Sequence, residues 1–445
     1  MTTFDQALDA RINDEILDRC TLCGKCAAVC PMPAPAGIDA ATETSGAKIV
    51  SGVIDLLRGG EGSPDGLEWA EICTGSGFCI EACPEAVNPR FMLAMARLKT
   101  RRANGAEATR AKGRQSFGTM SNAVRAISRL QLPADILARI NPASAKAATP
   151  EPDPEVIYYT GCNMLRTPHI GLLCLEVLDA MEVPYKVMGG PGHCCGIFQF
   201  REGDTETGEK IAGRTMDAFA ASKAPEVLAW CPSCVVQFGE LNLPTFEKTR
   251  TEPAPFDMVA FYIWLARRLD ELAPLMTIPV NRRVALVERP GIPGAREAAI
   301  EIARAIPGVE YVALPDVQRV SISSNYLTLL PDFKEKLLRE EFDACVDAGV
   351  DTLATIFHPC HRETCHLGEG KPFEIVNLME LVGESMGIQV EDLFKKLKIM
   401  GDIDAIMAEC ADMIDEHSLN EDALRAHLEA EIIHANPFMG VFSKD

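Results

Sequence analysis

The hydrophobic pattern changes texture along the chain. Residues 1–140 read as a helical unit, with Met92–Leu130 its clearest helical stretch. Asn141–Glu155 (NPASAKAATPEPDPE) is rich in Pro, Ala and small polar residues and suits an extended linker. After it, short buried-type apolar runs alternate with helical periodicity. A strand over Val156–Thr160 is followed by a helix over about Pro168–Met181, a strand at Tyr185–Met188, a helix over Thr205–Ser222 and a strand at Val227–Trp230. Such alternation predicts an α/β layer.

A weak internal repeat extends that layer. A shift of 127 residues lays VIYYTG (156–161) near VALVER (284–289), YKVMGG (185–190) near YVALPD (311–316), and VLAWCPSC (227–234) onto ATIFHPCH (354–361). The helical segments Gly208–Lys223 and Glu335–Ala348 also correspond. Two α/β halves of similar plan are therefore expected. The organisation read from the pattern is a helical unit at 1–140, a linker at 141–155, α/β units at 156–280 and 281–400, and an acidic helical tail at 401–445. The fold class expected is multidomain α+β.

Composition narrows the function. At 47% apolar and 24% charged, the 445-residue chain has the make-up of a packed protein rather than a disordered one. The most apolar windows, Ile170–Met181 and Met258–Leu269, are interrupted by Glu176 and Asp179 or by Arg267 and Arg268, so no membrane span is expected. Met1–Ala10 lacks the basic start and apolar run of a secretory signal, which points to the cytoplasm. A net charge of −21 argues against nucleic acid as a partner. Seventeen cysteines in a chain expected inside the cell point to metal or redox chemistry rather than disulfides.

Those cysteines fall in blocks: seven between Cys20 and Cys83, none from Pro84 to Gly161, six between Cys162 and Cys234, and four beyond. Core packing would spread them more evenly. Cys20-x-x-Cys23-x-x-Cys26-x-x-x-Cys30-Pro31 is the spacing with which bacterial ferredoxins hold a cubane, three thiolates on a tight loop and the fourth reaching a second cluster. The run Cys73-x-x-Ser76-x-x-Cys79-x-x-x-Cys83-Pro84 repeats it with Ser76 in the second place. One [4Fe–4S] cluster is then expected on Cys20, Cys23, Cys26 and Cys83. The other would rest on Cys30, Cys73 and Cys79 with Ser76 at the fourth position. A [3Fe–4S] cluster, a serine-ligated cubane and an open iron are the three outcomes. The first is preferred because a neutral hydroxyl is a poor ligand beside thiolate.

In the second block Cys162, Cys194-Cys195-Gly196 and Cys231-x-x-Cys234 each follow a predicted strand. Open α/β sheets bind ligands beyond the carboxyl ends of their strands. Three strand ends would bring five sulfurs to one crevice, and adjacent cysteines suit a polynuclear cluster. The spacing resembles the cysteine-rich CCG domain of heterodisulfide reductase, shared by the iron–sulfur subunits of glycolate and lactate oxidation systems. With the ferredoxin-like block in front, the resemblance covers about residues 10–370. It implies a helical two-cluster ferredoxin-like domain followed by two CCG domains. It also implies a noncubane [4Fe–4S] cluster on Cys162, Cys194, Cys195, Cys231 and Cys234, and a flavoprotein among the other subunits of a redox complex. Zinc on a subset of these thiols is the alternative cofactor.

The second half departs from that plan. The shift of 127 puts Arg289, Ser321, Ile322, His358 and His361 where the five cysteines should recur, so a second noncubane cluster is not expected and the second unit is degenerate. The segment His358-Pro-Cys360-His361-Arg-Glu-Thr-Cys365-His366 holds three of the eight histidines and two cysteines, and is read as either a mononuclear metal site or a helix-capping loop. His193 stands beside Cys194 and is a candidate to tune or react at the cluster with Cys194 and Cys195. Cys174, Cys345 and Cys410 lie in apolar helical contexts and read as core. Without a G-x-G-x-x-G or Walker pattern opening a helix, no nucleotide or flavin is expected in this chain. The basic stretch Arg97–Arg129 and the acidic Gly401–Ala435, with ten acids and one Arg, suggest docking patches.

The function expected is an iron–sulfur electron-transfer or reductase subunit of a flavin-dependent, heterodisulfide reductase-like complex. A relay for a glycolate- or lactate-type 2-hydroxy acid oxidoreductase and a zinc-bound assembly scaffold are the alternatives.

Overall fold

A computed structural model describes residues 2–142, 153–250, 253–288, 290–320 and 325–434. Most of the expected linker, together with Arg289, Ser321, Ile322 and the end of the acidic tail, lies outside the described residues.

The N-terminal part is helical. Its helix Glu43–Leu57 starts where Thr42 and Ser45 satisfy each other's backbone amides, and buries Ile49, Val50, Val53, Ile54 and Leu57 along one face. The basic stretch forms two helices, Pro89–Arg102 and Ala106–Gln131, rather than one. Lys99, Arg101 and Arg102 favour the carboxyl end of the first through the helix dipole, and the chain breaks at Gly105.

Two parallel four-stranded sheets follow. In the first, β1 (Val156–Tyr159), β2 (Tyr185–Met188), β3 (Glu226–Ala229) and β4 (Asp257–Ala260) lie in the order β2-β1-β3-β4, with Val156 opposite both Tyr185 and Glu226. In the second, β5 (Arg282–Val287), β6 (Val309–Tyr311), β7 (Thr352–Thr355) and β8 (Glu374–Asn377) repeat that order as β6-β5-β7-β8. The central strands β1, β3, β5 and β7 are short and largely buried under the crossover helices, which is why they read as apolar runs, whereas the edge strands β2 and β6 are only partly buried. The 127-residue shift lays β1 on β5 and helix Thr205–Ala221 almost on Pro331–Asp347, and slips where the intervening loops differ in length. Mixed α/β architecture with two sheets of like topology is thus what the pattern foretold.

One apolar core runs from the N-terminal helices through both sheets. Phe4 sits between Phe200 and Phe246, at ring separations of 5.6 and 5.1 Å. Arg11 donates to the Leu241 carbonyl at 3.2 Å and to Thr245 Oγ1 at 2.9 Å. The halves meet where Tyr262 packs edge-on against Phe357, centroids 5.6 Å apart. The acidic C-terminal helices bury Leu424, Leu428 and Ile432 against Ile127 and Leu130 of the basic helix. The two segments thus pack through their apolar faces, while charged residues such as Arg114, Arg125, Arg129, Asp412 and Asp415 stay exposed. Among the described residues no helix is long and apolar enough to cross a membrane.

Candidate iron–sulfur and metal-binding sites

The two ferredoxin-type loops share one backbone design. Leu22 and Gly24 in the first, and Gly75 and Gly77 in the second, all have positive φ, and Gly24 and Gly77 each lead into a one-turn helix. Cys20, Cys23, Cys26 and Cys83 line one small cavity, closed by Val50, Val87 and Met92. Burial pushes the Cys26 thiol up to about 12, with Cys20, Cys83 and Cys23 adding to the rise. Cys30 lies instead beside Cys73 and Cys79, and the Trp69 indole donates to its sulfur at 3.4 Å. Burial lifts Cys30 to about 11 against that hydrogen bond. The fourth cysteine of each run thus stands by the other run's loop.

Ser76 is buried within Gly75–Gly77. Arg90 holds this loop: its Nη1 donates to the Gly75 carbonyl at 2.9 Å and to the Gly291 carbonyl at 2.6 Å, while its Nε donates to Glu240 at 3.0 Å. Nη2 completes a two-pronged pair with the same carboxylate. A single guanidinium therefore ties the Ser76 loop to the segment that follows Cys234 and to the second α/β half. Sequence reasoning missed Arg90, because no local spacing marks it.

At the carboxyl ends of β1, β2 and β3 the structure brings Cys162, Cys194, Cys195, Cys231 and Cys234 together, all buried. The sulfurs of Cys195 and Cys234 are 4.0 Å apart, Cys162 meets Cys194, and Cys234 meets Cys231. Hydrogen bonds from the Cys194 and Cys234 thiols hold the Cys195 thiol well below its ordinary value. Thr215 Oγ1 fixes the Cys194 carbonyl at 2.9 Å and Asn242 Nδ2 fixes that of Cys195 at 3.0 Å. Gly196, at φ +78°, lets the cysteine pair lie on helix Thr205–Ala221, since a Cβ there would come within 2.6 Å of the Gly208 carbonyl. His193, beside Cys194, has its Nδ1 3.2 Å from the Gly189 carbonyl.

The second half contributes to the same site. The hydrogen bond from Cys234 chiefly, with His358 just beyond β7 adding to it, holds the Cys231 thiol well below its ordinary value. Arg166 is buried near Cys162 and Arg362, and burial lowers its pKa to about 10. The internal repeat carried a signal for His358, since it places this residue on Cys231.

The His-rich segment does not converge on one point. Helix His358–Thr364 sends His358 to Cys231, whereas His361 Nε2 bonds Asp392 Oδ2 at 2.6 Å. Cys360 lies near Tyr262, and Cys365 joins the apolar cluster with Phe394 and Leu397. Burial, with Lys398 nearby, lowers His366 to about 3. The five-residue ligand set expected from sequence is corrected accordingly: a seven-residue helix turns its residues to different sides. Cys174, Cys345 and Cys410 are buried in apolar surroundings.

Residues 156–239 match the family model of the CCG cysteine-rich domain, which occurs in heterodisulfide reductase-like iron–sulfur subunits. The match spans the first sheet through β3 and includes all five clustered cysteines. No curated protein matches the chain. The cysteine-rich domain and the 17 cysteines fit a metal or iron–sulfur cofactor. Grouped sulfurs with no disulfide between them, flanked by backbone amides and buried cations, are a donor set suited to such a group.

Proposed function

We propose that this chain is an electron-transfer or reductase subunit of a flavin-dependent, heterodisulfide reductase-like complex. The observation that carries the reading is the convergence of five buried cysteines at three strand ends, with two ferredoxin-type loops packed against the same body. Cys20, Cys23, Cys26 and Cys83 would hold one cluster. Cys30, Cys73 and Cys79, with Ser76 at the fourth place, would hold a second, and Cys162, Cys194, Cys195, Cys231 and Cys234 a noncubane third. Iron–sulfur clusters supply one-electron chemistry at potentials set by ligands, charge and burial. The chain's own residues set those terms: Trp69 donates to Cys30, His358 meets Cys231, and Arg166 places positive charge near Cys162. The domain plan that goes with this is a helical ferredoxin-like unit at 1–140 and two CCG-type units at 156–280 and 281–400, the second degenerate.

Anaerobic iron and acid-labile sulfide analysis tests the proposal. About eleven or twelve irons per chain fill all three sites, and about seven or eight leave the CCG cysteines empty. Zinc on those cysteines without matching sulfide would replace this reading with a scaffold. Purification from the native cell then separates a disulfide reductase from a relay for a 2-hydroxy acid oxidoreductase. The discriminating observation is which substrate the co-purifying flavoprotein oxidises or reduces.

A further inference from the structure

Behind helix His358–Thr364, on the side that His361 faces, four side chains from four different helices point at one place. They are His169, second residue of Pro168–Ala180; His361; Glu380, third residue of Leu378–Met386; and Asp392, the N-cap of Leu393–Met400. One ligand atom from each lies within 4.8 Å of all the others. Both imidazoles are essentially fully buried, at 1% and 0% exposure, and their rings are 5.2 Å apart.

The hydrogen bonding in this group is incomplete. His169 Nδ1 is 3.3 Å from Asp392 Oδ1 and its Nε2 is 3.7 Å from Glu380 Oε1, yet neither ring nitrogen makes a hydrogen bond of acceptable geometry. The ring can pair with both of these carboxylates only as an imidazolium, whereas a divalent ion seated among the four groups satisfies the same carboxylates with the ring neutral. The carboxylates themselves are held firmly. Asp392 Oδ1 accepts from the Lys395 amide at 3.0 Å and Glu380 Oε1 from the Asn377 amide at 2.6 Å. Thr355 Oγ1 lies 3.1 Å from His361 Nδ1, which leaves Nε2 as the nitrogen turned inward. That is the outer support expected of a metal-binding imidazole.

We infer that His169, His361, Glu380 and Asp392 form a structural site for one divalent first-row transition ion, zinc being the best fit. Two imidazoles and two carboxylates suit zinc, iron(II) or manganese(II), and four protein ligands in a buried setting leave no position for a substrate. The ion clips the halves together, since His169 belongs to the first and the other three ligands to the second. It also fixes the short helix whose opposite side presents His358 to Cys231. The site is separate from every cysteine cluster and does not depend on the redox reading.

Metal analysis of the full chain tests this. Anaerobically purified protein is incubated with excess Zn²⁺, desalted, and assayed for zinc, manganese, iron and acid-labile sulfide. Wild type should retain about one equivalent of zinc, or of iron or manganese beyond that matched by sulfide. His169→Ala and Asp392→Asn should retain under about a tenth of it, with sulfide unchanged, and affinity for Zn²⁺ should fall at least about 100-fold. Cys234→Ser should leave this ion in place, which separates it from zinc on the CCG thiols. If His169→Ala fails to fold, His169→Gln serves in its place. Wild type without a retained ion, or full retention in the histidine and aspartate variants, overturns the assignment.

Discussion

Replacing Arg90 by Met removes the clamp on the Ser76 loop while keeping most of the side chain's length. The change deletes a two-pronged ion pair with Glu240 and the hydrogen bonds to the Gly75 and Gly291 carbonyls. Breaking a buried pair costs about 3–5 kcal/mol, much of it from the stranded partner. Glu240 is 24% exposed at its side chain and can recover water, which places the expected cost near the low end, about 3 kcal/mol. Because Arg90 tethers the Gly75–Gly77 loop to Glu240 and to the Gly291 carbonyl, that loop should respond most. Amide exchange across Gly75–Cys79 should accelerate roughly 100-fold, with the core of β1 and β3 unchanged. Arg90→Lys keeps the charge but loses the fork and should restore less than half of the protection. Acceleration under about threefold in Arg90→Met, or complete rescue by Lys, would refute the clamp.

Other consequences are as specific. Ser76→Cys completes the second ferredoxin motif and should change the EPR signal of the oxidised protein; an identical spectrum removes Ser76 from the cluster. His358→Ala should alter the spectrum of the CCG site while leaving that of the Cys20 set as it was, which EPR also reads. Gly24→Ala should destabilise the chain by about 3 kcal/mol or more, since a Cβ would lie 2.1 Å from the Glu43 carbonyl, whereas Gly37→Ala, with the same backbone sign and open space, should cost only about 1 kcal/mol in thermal unfolding. Burial raises Glu341 to about 7, with Arg319 opposing and Glu288 adding to the rise. A carboxylate raised in the folded state binds more protons there than when unfolded. Stability should therefore fall as pH rises from about 4.5 to 7, and Glu341→Gln should be more stable by about 1–3 kcal/mol at pH 8 and flatter across that range.

What the sequence made legible was local. The likeness of the two cysteine runs could be read from their spacing, and the structure gives both loops the same left-handed turns at Leu22, Gly24, Gly75 and Gly77. The two sheets could be read because short buried strands separated by amphipathic helices leave a pattern within each unit. Contacts that join distant units leave none. Arg90 meets Glu240 150 residues away, and His169 and Glu380 are 211 positions apart in the sequence, with no periodicity linking them. The histidines of 358–366 looked like one ligand set because they are neighbours in sequence, whereas a helix separates neighbours by about 100° each. The opposite charges of 97–129 and 401–435 were visible too, but not that their apolar faces would be buried against each other.

The seat of the first helix has a consequence for how the chain is made. Phe4 and Arg11 leave the ribosome early, but their partners Phe246, Leu241 and Thr245 are added 230 or more residues later. At bacterial-type synthesis rates of roughly 5–20 residues per second, that is a delay of about 12–50 seconds. During this interval the loops at 20–30 and 73–83 exist without the body that finally packs on them. On the function proposed above, a cofactor delivered to these loops would have its widest access in that window, while the nascent chain is still lengthening.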